Sequence, residues 1–163
     1  LSDPPTRRRP PRFLFKLLNP LFTLILRSPL HPVLSKRLVL LKFTGRRSGK
    51  CYTTPIGYAR VDGVLLSGTE GRWKANLRGG VPVRVLHQGN DVGGVAAIID
   101  DEAGMAEAYK AILATVPGYG RALAVRVDPD GQPVREDVAR ARAGGHVVIR
   151  ITLDGDDVSA PSP

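Results

Sequence analysis

The chain has 163 residues, 42% of them hydrophobic and 24% charged, which is the composition of a single soluble globular domain. One cysteine, Cys51, excludes an internal disulfide framework, and His31, His87 and His146 stand too far apart for metal-ligand spacing, so no metal site is expected. The net charge of +9 is uneven: residues 1–50 carry +11 and residues 51–163 carry −2, which puts any polyanion-facing surface in the N-terminal third.

Residues 1–12, with Pro4, Pro5, Pro10, Pro11 and the run Arg7-Arg8-Arg9, cannot build a core and read as a disordered basic arm. Residues 13–35 read as an amphipathic N-terminal helical segment, in which Asn19-Pro20 supplies an N-cap and a first helical position. Its apolar span of about fourteen residues, with Lys16 inside, is short of the roughly twenty needed to cross a bilayer. Flanked by arginines, it suits either the plane of a membrane interface, through residues 7–27, or the domain's own core. A cytoplasmic location is expected, and the first of these readings adds peripheral contact at the inner face of the cell membrane.

From residue 36 to 154 the pattern is one domain, mostly of strands. Arg37–Thr44 and Tyr52–Val61 alternate apolar and polar residues, and Asp62-Gly63 is a tight-turn signal leading into Val64–Ser67. Arg72–Leu77 reads as a short helical turn. Val81–Gln88 and Val92–Ile99 form a hairpin about Gly89-Asn90. Asp100–Thr115 is the clearest helix, with acids at its positive end and the stripe Met105, Ala108, Ile112, Val116. Pro117-Gly118-Tyr119-Gly120 breaks it. Ala122–Val127 reads as a strand, Val134–Ala143 as a mainly polar helix, Val147–Leu153 as a closing strand, and residues 155–163 as a disordered tail. Antiparallel hairpins with a few inserted helices define an α+β fold built on a small antiparallel β-barrel.

The densest chemistry lies in Thr44-Gly45-Arg46-Arg47-Ser48-Gly49-Lys50, a turn between two alternating runs with three cations and two glycines. Glycines allow a ligand close to the backbone, and the cations offer charge-assisted donors to phosphate or carboxylate. The turn reads as an anion grip, or as a solvated hairpin loop. It is not a P-loop, because three residues separate Gly45 from Gly49 and Cys51 stands where a magnesium-binding hydroxyl belongs. Cys51 itself reads as a buried, inert thiol. The strands lack the interleaved exposed aromatics of a single-strand nucleic-acid platform, so no specific nucleic acid is expected.

Leu41–Lys50, then Thr53-Thr54-Pro55-Ile56, then Ser67 followed by Trp73-Lys74-Ala75-Asn76-Leu77, resemble the deazaflavin-dependent nitroreductase and quinone reductase family of split β-barrel proteins. The resemblance runs from about residue 38 to 88, and more weakly to Tyr119. It implies an FMN-binding-like split barrel holding coenzyme F420, with hydride delivered to a quinone, nitroaromatic or other electron-poor acceptor. It places Gly45, Arg46, Arg47, Ser48, Gly49 and Lys50 on the cofactor's phosphate and tail. Thr53, Thr54 and Pro55 would lie beside the ring, with Ser67, Gly68, Trp73 and Asn76 opposite. Tyr119 would be a substrate gate or proton donor; otherwise it plugs the barrel mouth, and Trp73 is otherwise a core anchor. Where family members commonly have an arginine, Tyr52 stands here. FMN is the alternative cofactor, and a non-catalytic module for anionic lipid or nucleic acid is the alternative function. The resemblance leaves monomer and homodimer open.

Overall fold

The computed structural model describes residues 38–155 apart from Gln88. The expected basic arm (1–12), the N-terminal helical segment (13–35) and residues 156–163 of the tail lie outside the described residues.

Hydrophobic residues at alternate positions build β1 (Leu38–Thr44), β2 (Cys51–Gly57), β3 (Ala59–Val61), β4 (Val64–Thr69), β5 (Val81–His87), β6 (Asn90–Ile99) and β7 (Val147–Leu153). All are antiparallel neighbours in one sheet of order β2-β1-β5-β6-β7-β4-β3. A 3-10 turn, Arg72–Leu77, follows β4. Helices α1 (Glu102–Thr115), α2 (Tyr119–Leu123) and α3 (Arg135–Ala143) come between β6 and β7.

β2 and β3 stand at opposite ends of that order, yet only Tyr58 separates them along the chain. The backbone leaves one edge of the sheet and joins the other within a residue, so the sheet has to curl until its edges meet. Ahead of that crossing, β2 pairs with β1 alone, and no described strand covers its other edge. The barrel is therefore closed at Gly57-Tyr58 and split towards Cys51. The expected continuous strand Tyr52–Val61 is in fact two strands serving two edges.

The pleat sorts the side chains. Val39, Leu41 and Phe43 of β1, Ile56, Leu65, Val83, Val85, Ala96 and the odd-numbered residues of β7 fill the interior. Leu66 and Val148, pointing the other way, pack with Ala59 under Met105, Ala108, Tyr109 and Ile112 of α1 and Val138 of α3. Gly94 permits the tight curl of β6 against β7: a Cβ there would lie 2.5 Å from the Thr152 carbonyl oxygen. Helix α1 starts two residues later than the expected Asp100 because Asp101 is the N-cap, accepting the Gly104 N–H at 2.8 Å.

The expected strand at Ala122–Val127 is absent. Tyr119–Leu123 is helical, Ala124 ends it with φ 55°, and only Val127 makes a bridge, to Pro133. Leu123 and Val125 are buried in the cluster under the helices. The loop is instead tied to α3. Asp137 is 1% exposed and accepts from the Arg126 N–H at 3.0 Å, Arg126 Nε at 2.8 Å and Arg140 at 2.7 Å.

Candidate cofactor site at the barrel mouth

The turn joining β1 to β2 is held by its own backbone: the Gly45 N–H donates to the Lys50 carbonyl and the Gly49 N–H to the Gly45 carbonyl, both at 2.8 Å. Gly45 is buried although its neighbours are exposed. A Cβ on it would come within 2.6 Å of both Ser48 Oγ and the Tyr52 ring, so glycine is needed for the turn to fold back on itself. Arg46, Arg47, Ser48 and Lys50 project into solvent. No described carboxylate pairs with these three cations, whereas Lys42 and Arg84 share Asp91, and Arg126 and Arg140 share Asp137.

Asn76 connects this turn to the segment after β4. Its Oδ1 accepts the Arg46 N–H at 3.1 Å and its Nδ2 donates to the Trp73 carbonyl at 2.9 Å. The Trp73 ring stacks on Phe43, with centroids 5.5 Å apart, and Phe43 stacks on Tyr52 at 5.8 Å. Thus Gly45, Arg46, Arg47, Ser48, Gly49, Lys50, Trp73 and Asn76, scattered over 32 residues of sequence, come together at one end of the barrel. The amide of Asn76 is committed to fastening two elements.

Ser67 lies in the middle of β4 and is 1% exposed. Its side chain lies beside the hydroxyl of Tyr119, whose pKa is raised by burial, with hydrogen bonding from the serine opposing the rise. That hydroxyl also presses on Gly57, at the point where the chain crosses between the sheet's two edges: a Cβ on Gly57 would be 2.7 Å from it. Tyr119 therefore seals the closed end of the split. The remaining expected residues divide by face. Thr54 shares the inward side with Tyr52 and Ile56, while Thr53 and Pro55 lie on the opposite side of the unpartnered β2 edge. Gly68 faces the helix layer, its space filled by Leu123.

Cys51 is exposed, contrary to the expected buried thiol, because it opens β2 at the rim of the turn. Two side chains of the site, Phe43 and Tyr109, were not among the expected site residues, and Tyr52 was expected only as a departure from the family's arginine. Phe43 and Tyr52 are cross-strand partners, which the short turn between two alternating runs would have predicted. Tyr109 is one turn on from Met105 in the α1 stripe; it is fully buried, its hydroxyl has no partner among the described residues, and burial with the neighbouring Tyr119 pushes its pKa up to about 12.

On the far side of the 3-10 turn, a separate cleft of about 350 Å³ is lined by Lys74, Arg78, Arg142 and His146. Its cations are already engaged: Arg78 pairs with Asp100 at 3.4 Å and Arg142 donates to the Asp100 carbonyl at 2.8 Å. Among the described residues no helix is long and apolar enough to cross a membrane, and no three histidine, cysteine or acidic side chains cluster as metal ligands.

A cationic turn with no described acid on it, an aromatic stack, and a strand edge that no described strand covers, on a curled antiparallel sheet, make this an α+β split β-barrel. The chain belongs to the F420H(2)-dependent quinone reductase family, whose model matches residues 30–135, more than half of its length. It is an F420-dependent reductase. No curated protein sequence matches it significantly. Among solved structures it is similar to a domain-swapped dimer, at 16% identity over 83% of this chain and 97% of that one, with a TM-score of 0.50. It also resembles the FAD and heme binding protein from Mycobacterium smegmatis, at 18% identity over 80% of this chain and 68% of that one, with a TM-score of 0.48. A FAD-binding protein from Mesorhizobium loti aligns at 17% identity over 81% of this chain and 86% of that one, also with a TM-score of 0.48.

Proposed function

We propose that the chain binds reduced coenzyme F420 with its phosphate and anionic tail on Arg46, Arg47, Ser48 and Lys50, and reduces a quinone, nitroaromatic or similarly electron-poor acceptor. The observation that carries this reading is the pairing of three cations, none with an acid partner among the described residues, with the Trp73 turn through Asn76. The residues fit the coenzyme: Gly45 lets the turn fold into a cradle that a Cβ would fill, and exposed N–H and cationic groups suit a polyanion. FMN has a shorter anionic group and would leave part of this charge unused, so the deazaflavin is favoured.

When bound, the deazaflavin supplies a hydride, which removes any need for a protein nucleophile or metal. The protein's own work is positional. The cationic turn holds the tail. Thr54 and the edge of β2 that no described strand covers would border the ring on one side, and Trp73, set by its stack on Phe43, would border it on the other. Tyr119, kept neutral by burial and lying beside Ser67, holds a proton at the closed end of the split and limits entry of water. Peripheral contact of residues 7–27 with the inner face of the cell membrane belongs to the same reading, because lipophilic acceptors partition there. Its support is the charge of the first 50 residues.

Titration with oxidised and reduced coenzyme, followed by absorbance and fluorescence, tests the proposal. Arg46→Ala and Arg47→Ala should each weaken binding by about 1.5–3 kcal/mol, roughly ten- to a hundred-fold. No binding by the wild type at tens of micromolar, or no loss in either variant, would refute it.

A further inference from the structure

Tyr52 stands beside the cationic turn without a cation of its own, and its contacts give it a different task. Its ring is 44% exposed, stacks on Phe43 with an interplanar angle of 23°, and abuts Gly45. Its hydroxyl lies 3.1 Å from Ser48 Oγ. The same oxygen of Ser48 accepts the Lys50 N–H at 3.3 Å. A serine hydroxyl has two acceptor lone pairs and one proton to donate. With the Lys50 N–H on one lone pair and the Tyr52 O–H on the other, the serine proton has no acceptor at this corner among the described residues. It is then directed outward, where Arg46, Arg47 and Lys50 concentrate positive charge.

We propose that Tyr52 is a positioning residue which, by donating to Ser48 Oγ, presets the Ser48 hydroxyl as a donor to an oxyanion bound on the turn. The inference rests on the anion-grip reading of the proposed function and adds how the grip is polarised. The reverse direction, serine donating to tyrosine, would present a lone pair of oxygen to the anion and repel it. Binding of phosphate therefore selects the Tyr52→Ser48→anion order, and each bond of that chain polarises the next. A residue that only packed the turn would contribute stability without this dependence on its hydroxyl.

The test is a double-mutant cycle with Tyr52→Phe, Ser48→Ala and the double variant, using inorganic pyrophosphate and oxidised coenzyme F420 as separate probes and calorimetry as the readout. Tyr52→Phe keeps the ring stack, so melting temperature should stay close to that of the wild type. Affinity for both probes should fall about fivefold or more, and the double variant should bind no worse than Ser48→Ala alone. Additive losses, or unchanged affinity in Tyr52→Phe, would overturn the positioning role even where Arg46→Ala confirms the grip. Coupling seen with pyrophosphate, together with a wild type that ignores the coenzyme, would sustain the role and defeat the proposed function. A wild type that binds neither probe would defeat both.

Discussion

Replacing Asn76 by aspartate should separate the clasp between the cationic turn and the Trp73 segment from the electrostatics of the grip. Asn76 makes two hydrogen bonds, 3.1 Å from the Arg46 N–H and 2.9 Å to the Trp73 carbonyl. Both partners lie near solvent, so deleting them in Asn76→Ala should cost about 1–2 kcal/mol of stability at roughly 0.5–1 kcal/mol each. Asn76→Asp keeps the acceptor for Arg46, strengthens it by charge, and adds a carboxylate beside three cations that no described acid neutralises. Stability should then stay within about 1 kcal/mol of the wild type. Coenzyme affinity should not. A carboxylate roughly 8 Å from a bound phosphate, at an effective dielectric of about 20–40, repels it by about 1–2 kcal/mol, a loss of about five- to thirtyfold. Parallel denaturant melts and coenzyme titrations at low and high salt provide the assay, because the repulsion should shrink as salt rises. Wild-type affinity of Asn76→Asp at low salt would refute the argument, since it would mean that the anion binds away from this corner.

Asp137 has its carboxyl pKa held down to about 2, chiefly by the Arg126 hydrogen bond, so its contribution is complete above the ordinary aspartate range and is lost as pH falls from about 4 towards 2. Asp137→Asn should cost about 2 kcal/mol in urea melts at pH 7 and flatten that acid limb; an unchanged limb would show that the arginines do not hold the charge. Tyr109→Phe deletes a buried hydroxyl with no described partner and should raise the melting temperature by a few degrees, whereas a lower value would reveal a partner such as buried water. In Gly94→Ala the new Cβ meets the Thr152 carbonyl at 2.5 Å and the Leu153 Cα at 3.2 Å, backbone that cannot step aside. Loss of more than about 3 kcal/mol is expected by thermal melt, and near-neutral behaviour would contradict the tight curl of β6 on β7.

Strand and helix identity was legible wherever a single periodicity governed a segment. Val147, Ile149, Ile151 and Leu153 recur at period two and form β7 with the expected bounds, and the acids ahead of Met105 mark the start of α1. The segment 119–127 was not legible, because Leu123, Val125 and Val127 alternate as a strand would, yet Leu123 and Val125 pack into the helix-side core rather than into a ladder. The run from Tyr52 to Val61 has strand character throughout, and nothing local marks Tyr58 as the point where it exchanges one sheet edge for the other.

The same distinction runs through the site. The cationic turn could be read because its chemistry is contiguous in the sequence, and Asn76 because it accompanies Trp73. Period-two geometry then divides what proximity in sequence had grouped: Thr54 turns inward while Thr53 and Pro55 turn away, and Ser67 meets Tyr119 while Gly68 backs onto Leu123. Tyr52 escapes a search for charged ligand partners because what it offers is direction. Its proton decides which way the Ser48 hydroxyl points, and this becomes visible only when the turn has folded back far enough for a side chain on Gly45 to be impossible.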